Sequence, residues 1–73
     1  MKLFTLTRDG YILGVFRNLV KLDAEIGGYT RKVDDMNYSL YNLRKAFRSS
    51  GTVILEEPRS TMEVTRVKLN EMV

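Results

Sequence analysis

The residues best suited to chemistry lie between positions 36 and 48, in a stretch with helical periodicity. Apolar side chains recur there at i, i+4, i+7 and i+11, as Met36, Leu40, Leu43 and Phe47. Projection at about 100° per residue places a polar face beside this apolar stripe. The members of that face are Asn37, Tyr38, Tyr41, Asn42, Arg44, Lys45 and Arg48. Cations pair with phosphates, amides bond to base edges, and tyrosines reach phosphate or stack, so these are the side chains of a nucleic-acid-binding surface.

The charge distribution favours the same stretch. The 73 residues carry 12 basic and nine acidic side chains, a net charge of +3. Charges cancel over residues 1–35 and 56–73 taken together, so the excess lies in residues 36–55, on Arg44, Lys45 and Arg48. An alternative interpretation stays open, because every amphipathic helix needs a polar face and cations near a helix C-terminus complement the helix dipole.

Most catalytic chemistry lacks its residues in this chain. There is no His and no Cys, which excludes imidazole bases, thiol nucleophiles and the usual zinc ligands. The acid pairs Asp34–Asp35 and Glu56–Glu57 are typical of solvated turns, and Gly27–Gly28 lacks the spaced glycines and the Lys of a phosphate loop. We therefore expect a binding domain and not an enzyme, with no cofactor and no metal.

A hairpin and a short helix are predicted ahead of the polar face. Lys2–Thr7 alternates with a period of two, Asp9–Gly10 favours a tight turn, and Tyr11–Phe16 is rich in residues typical of strands. Asn18 is a suitable N-cap for a helix of two to three turns carrying Leu19, Leu22 and Ile26. Gly27–Gly28 should end that helix in the left-handed conformation.

The second helix is predicted to follow a loop. Residues 29–35 show no clear period, and within them Tyr29–Lys32 is either a solvated connector or a phosphate-contacting loop. Asp34 or Asp35 could cap a helix of about fourteen residues. Ser49–Gly51 should end it.

Two further strands complete the predicted fold. Val53–Leu55 is a short apolar strand, Pro58 lies in a polar turn, and Met62–Leu69 is a last strand whose apolar residues change face, as at a bulge. The chain is thus predicted to be a single α+β domain, residues 1–73, in the order β-β-α-α-β-β. An antiparallel sheet, or two hairpins, would pack on the two helices.

Parts of the chain resemble a known family. The stretches Asp9–Leu19, Ile26–Gly27 and Ser39–Phe47, within residues 9–51, look like the NUMOD-type modular helix-turn-helix DNA-binding repeats. The resemblance implies that Asn18 caps a supporting helix. It also implies a contacting helix that carries Ser39, Tyr41, Asn42, Arg44 and Lys45. Residues 28–35 make the connection between the helices several residues longer than a helix-turn-helix turn of about 3–4 residues.

Two functional hypotheses follow. The first is an accessory or regulatory module that binds nucleic acid, with double-stranded DNA as the favoured partner, through the polar face of the second helix. The second is a protein-interaction domain of a small phage or bacterial protein, either monomeric or homodimeric, that acts through a sheet edge or exposed tyrosines. The strands at residues 2–7 and 62–69 are the candidate edges, although the charges of Lys2, Arg8, Arg66 and Lys68 would guard them.

No apolar run has the length of a signal peptide core or a membrane span, since the longest is three residues. We expect a soluble, cytoplasmic protein without a membrane partner.

Overall fold

The computed structural model describes residues 2–68, in which six antiparallel strands form one sheet and two helices cover one of its faces. In chain order the elements are β1 (Lys2–Arg8), β2 (Tyr11–Phe16), α1 (Leu19–Ile26), β3 (Lys32–Val33), β4 (Met36–Asn37), α2 (Leu40–Phe47), β5 (Thr52–Glu56) and β6 (Thr61–Lys68). The α+β class and the predicted order of hairpins and helices are confirmed. The structure adds one short hairpin, β3–β4, between the helices.

The hairpin β1–β2 forms where its turn residues require it. Asp9 and Gly10 both have positive φ, 52° and 83°, the conformation of a two-residue turn whose twist matches that of the strands. A bulge shifts the register between Leu6 and Thr7, so that Leu6 lies opposite Gly14 and Thr7 opposite Ile12. This bulge was not predicted, and the change of face predicted for the last strand is wrong for its described part. The described part of β6 keeps a regular register with β1, and Leu69 lies outside the described residues.

Helix α1 begins as predicted and ends differently. The side chain of Asn18 accepts a hydrogen bond from the Lys21 amide at 2.9 Å, which confirms it as the N-cap. Gly27 is right-handed, with φ −57°, so the predicted left-handed ending is wrong. A Cβ built on Gly27 would lie 2.7 Å from the carbonyl oxygen of Asp23. This position is restricted by space and not by backbone conformation.

The segment before α2 is a hairpin in place of the predicted loop and helix start. Asp34 and Asp35 have positive φ, 47° and 68°, and form the turn of β3–β4, so neither caps a helix. Met36 lies in β4, and the N-cap of α2 is Ser39, whose hydroxyl accepts from the Asn42 amide at 3.0 Å. The helix has eight residues, not about fourteen, because the chain is held in the sheet until residue 37.

The strand order is β2-β1-β6-β5-β3-β4. Strands β1 and β6 pair with each other along their length, from Lys2 opposite Lys68 to Arg8 opposite Met62. The prediction that residues 2–7 and 62–69 form sheet edges is therefore wrong, and the charges there do not guard an edge. The outer strands are β2 and the two-residue β4.

The core lies between the helices and one face of the sheet. Its buried residues are Phe4, Leu6, Leu22, Ile26, Val33, Leu43, Ala46, Phe47, Val53, Leu55, Met62 and Val64. Within the predicted stripe of α2, Leu43 and Phe47 are buried and Leu40 is half-buried. This packing fixes α2 so that its remaining face is exposed, and it places the C-terminus of α2 against the start of β1, where Phe47 contacts Phe4 edge to face.

Candidate nucleic-acid interface

Four of the predicted polar residues of α2 form an exposed surface. Arg44 and Lys45 lie in the last turn, Arg48 is the C-cap residue, and Tyr41 is 65% exposed one turn earlier. Their positions follow from the burial of Leu43 and Phe47, which turns this side of the helix away from the sheet. These four residues remain available for a ligand.

Of the other three predicted residues, Tyr38 and Asn42 use their side chains in internal hydrogen bonds, whereas Asn37 is exposed in β4 and not on the helix as predicted. The side-chain amide of Asn42 donates to the backbone oxygen of Asn37 at 2.7 Å, and this bond joins α2 to β4. The Tyr38 hydroxyl donates to Asp23 Oδ1 at 2.6 Å. Burial, together with the Asp23 carboxylate, raises the pKa of Tyr38 well above its ordinary value. Asn42 and Tyr38 therefore hold the fold together at the start of α2.

Sheet register brings further cations to the C-terminus of α2. Lys2 and Arg66 lie on the same face of the sheet as Phe4, which contacts Phe47 at the end of the helix. The guanidinium Nη1 of Arg66 donates to the Phe47 carbonyl at 2.9 Å, so Arg66 satisfies one of the open carbonyls at this helix end. Both residues are more than eighteen positions from α2 in sequence, and only the strand pairing reveals their proximity.

Two more cations come from the link between β2 and α1. Phe16 pairs with Phe4, so the exposed Arg17 that follows it lies at the same end of the sheet. Lys21 is exposed in the first turn of α1, which begins there. We call this region the basic end: residues 2–4, 16–21, 44–51 and 64–67. Its cations are Lys2, Arg17, Lys21, Arg44, Lys45, Arg48 and Arg66.

The basic end contains no carboxylate among its residues. None of its cations forms an ion pair within residues 2–68. The acids of the described chain lie elsewhere, and Asp9, Glu56 and Glu57 occupy the opposite end of the sheet, where Arg8 pairs with Glu57 at 2.6 Å. The basic end therefore carries seven positive charges and no negative one, against a net charge of +3 for the whole chain.

The Tyr29–Lys32 segment lies away from the basic end. The backbone amide of Arg31 donates to the backbone oxygen of Glu56 at 2.7 Å, and Lys32 is in β3 opposite Glu56. The segment is therefore tied to the end of the sheet that lies opposite the basic end. Thr30 is buried, and its hydroxyl donates to the Ile26 carbonyl at 3.1 Å. This segment connects α1 to the sheet and is separate from the candidate interface.

Other kinds of site are not evident in the described residues. Within residues 2–68, no three His, Cys, Asp or Glu side chains come together as metal ligands. None of the helices in that range has the length and apolar character needed to cross a membrane. Comparison with known proteins gives no significant match to a family model, to a curated protein or to a solved structure.

Proposed function

We propose that this domain binds nucleic acid, with double-stranded DNA as the favoured partner, through its basic end. The observation that carries the proposal is the convergence of seven cations from four separate segments, with no carboxylate among them. Helix-dipole complementarity accounts for cations in the last turn of α2. It does not account for Lys2, Arg17 or Lys21, which belong to other elements. A shared polyanionic ligand accounts for all of them.

The dimensions fit a short stretch of phosphate backbone. From β2 to β5 the basic end spans three strand spacings, roughly 14 Å at about 4.8 Å each. A DNA strand has one phosphate per about 3.4 Å of helix axis, so this length corresponds to about four phosphates. The logarithm of the binding constant should then fall with the logarithm of salt concentration with a slope of about −3.6. Contacts of this kind position the domain without reading sequence, and we assign contacts to bases to the exposed Tyr41 and Arg44 of α2.

The test is fluorescence anisotropy of a labelled random-sequence duplex titrated with the full chain, starting at about 20 mM salt and repeated at rising concentrations. Two triple variants remove separate halves of the basic end: Arg44→Gln, Lys45→Gln, Arg48→Gln in α2, and Lys2→Gln, Arg17→Gln, Lys21→Gln outside it. Each should weaken binding at least tenfold and reduce the salt slope by up to about 2.7, since each removes three potential phosphate contacts.

The matched control is Arg31→Gln, Lys32→Gln, Arg59→Gln. It removes the same charge from exposed cations outside the basic end. It should change affinity less than threefold. If the wild type does not bind at about 20 mM salt, or if the control weakens binding as much as the other two triples, the proposal is wrong. A second titration with single-stranded DNA and with duplex RNA identifies the preferred form.

A further inference from the structure

Strand β2 is an outer strand that carries a bulge but lacks the charges, prolines and short length that also protect sheet edges. Charges, prolines and short length discourage association of edges. The segment Tyr11–Phe16 contains neither a charge nor a proline, and it is six residues long. The other outer strand, β4, has two residues. The two edges of the same sheet thus differ in how readily another strand could pair with them.

The side chains of β2 are apolar and exposed. Tyr11, Ile12, Leu13 and Val15 are 77%, 67%, 49% and 55% exposed, which makes this strand the main site of exposed large apolar residues in the described chain. The bulge near Leu13 sets their faces: Ile12 and Val15 lie on the open face of the sheet, whereas Gly14 and Phe16 lie on the helix-covered face. Contiguous exposed apolar surface of this kind is typical of an interaction site.

The charges at the two ends of β2 are opposite. Asp9 precedes the strand and Arg17 follows it, both are exposed, and neither forms an ion pair within residues 2–68. In an antiparallel pairing of β2 with an identical strand that aligns Ile12 with Val15, Arg17 of one copy lies opposite Gly10 of the other, the residue next to Asp9.

We propose that β2 pairs with β2 of a second copy of this chain, about a two-fold axis perpendicular to the sheet. The register that preserves both faces aligns Tyr11 with Phe16 and Ile12 with Val15 of the second copy. The two sheets then continue as one, with all helices on one side. The paired strands extend only about 20 Å, at about 3.4 Å per residue, so the interface belongs to the small class and the dimer should dissociate in the micromolar range.

The test is sedimentation velocity of the full chain without nucleic acid, from about 2 to 500 µM, at about 150 mM salt. Wild type should change from monomer to dimer over this range. Ile12→Lys should raise the dissociation constant at least tenfold, because it replaces the apolar cross-strand pair with Val15, which occurs twice in the symmetric dimer, by a residue that guards sheet edges. Ile54→Lys is the matched control: Ile54 is 41% exposed on the same open face but lies on β5, away from the edge. It should leave the dissociation constant within about twofold.

A charge reversal tests the register. Arg17→Asp should weaken the dimer, because it places two carboxylates together, and adding Asp9→Asn should restore much of the association while keeping a residue that tolerates the turn conformation. If the chain is monomeric at all concentrations, the proposal that a second copy pairs with this edge is wrong. If Ile54→Lys weakens the dimer as much as Ile12→Lys does, the two copies stack through the open faces of their sheets, and pairing through β2 is wrong. Both readouts are independent of nucleic-acid binding, so failure here is distinguishable from failure of the proposed function.

Discussion

The phenol hydroxyl of Tyr38 donates a hydrogen bond to Asp23 Oδ1 at 2.6 Å, joining the start of α2 to the middle of α1. The bond has a charged acceptor and is partly shielded from water, and bonds to charged groups are stronger than neutral ones. It links α1, through the side chain of Asp23, to the segment just before α2. The predicted ligand-contacting role of Tyr38 competes with this internal bond, which a ligand would have to break.

Replacement of Tyr38 by Phe should therefore reduce the free energy of unfolding by about 1–2 kcal/mol, measured by urea denaturation at pH 7. DNA affinity should stay within about twofold of wild type. Tyr41→Phe is the control, because Tyr41 lies three residues further along the chain and is exposed, and its stability should change by less than about 0.5 kcal/mol. If Tyr38→Phe were as stable as wild type but bound DNA much more weakly, Tyr38 would contact the nucleic acid as the sequence predicts.

The same bond predicts a pH dependence of stability. The folded state raises the pKa of Tyr38, so an unfolded chain releases this proton near pH 10 while the folded chain keeps it. Above that pH the unfolded state binds fewer protons, and the stability falls as pH rises. Between about pH 9.5 and 11, wild type should lose stability faster than Tyr38→Phe, by up to about 1.4 kcal/mol per pH unit. The free energies of unfolding of both proteins are measured by urea titration across this pH range, and equal losses in the two proteins would contradict the prediction.

Phe47 is the core residue whose loss should cost most. It is 4% exposed and meets the ring of Phe4 edge to face, with ring centroids 5.2 Å apart. Phe47→Ala should cost about 3–5 kcal/mol, a large part of the roughly 4–11 kcal/mol expected for a domain of this length. Circular dichroism should show a much lower melting temperature or an unfolded chain. Tyr41→Ala, on the exposed side of the same helix, should melt close to wild type; equal losses would place Phe47 outside the core.

Local signals in the sequence predicted the elements whose form depends on neighbouring residues. The turn at Asp9–Gly10, the cap at Asn18 and the burial of Leu43 and Phe47 are all confirmed. The hairpin β3–β4 was missed because two-residue strands show no period. The sequence signal that could have found it is Asp34–Asp35, since Asp tolerates the positive φ of such a turn.

The basic end could not be predicted in the same way. Lys2, Arg17 and Arg66 meet α2 only through the strand order and register, which depend on pairing between distant parts of the chain. The net charge of local segments pointed to α2 alone, because cations elsewhere in the sequence are balanced by acids, none of which lies in the basic end. Charge segregation in a small sheet is a property of topology and is invisible to composition.

Gly27 and Gly28 follow α1, and replacement by alanine should lower the stability of the domain at the first and raise it at the second. At Gly27 a Cβ would lie 2.7 Å from the Asp23 carbonyl oxygen and 2.8 Å from its Oδ1, so the helix end must shift, at a cost of about 1–3 kcal/mol. At Gly28 a Cβ meets nothing within 4 Å, and φ is not in the left-handed region. Gly28→Ala should stabilise the domain by about 0.4–1 kcal/mol by restricting the unfolded chain. Urea denaturation of the pair checks both signs, and equal effects would contradict the steric argument.

Within the basic end, substitution of Arg66 should mainly reduce stability, and substitution of Arg48 should mainly reduce DNA binding. Arg66 is half-buried and bonds to the Phe47 carbonyl, whereas Arg48 is exposed, and no side-chain hydrogen bond from it is found within residues 2–68. Arg66→Met leaves that carbonyl without its donor and should cost about 1–2 kcal/mol of stability. Arg48→Gln should leave stability within about 0.5 kcal/mol and weaken DNA binding severalfold.

Denaturation and anisotropy on both variants test this division, with binding measured at a temperature where each variant is folded. Arg66→Lys is the informative third variant, since Lys keeps the charge but lacks the planar fork that reaches the carbonyl. It should retain DNA affinity within about threefold while losing part of the stability. If Arg66→Lys restored stability in full, the positive charge near the helix C-terminus, and not the hydrogen bond to Phe47, would be what stabilises this end of α2.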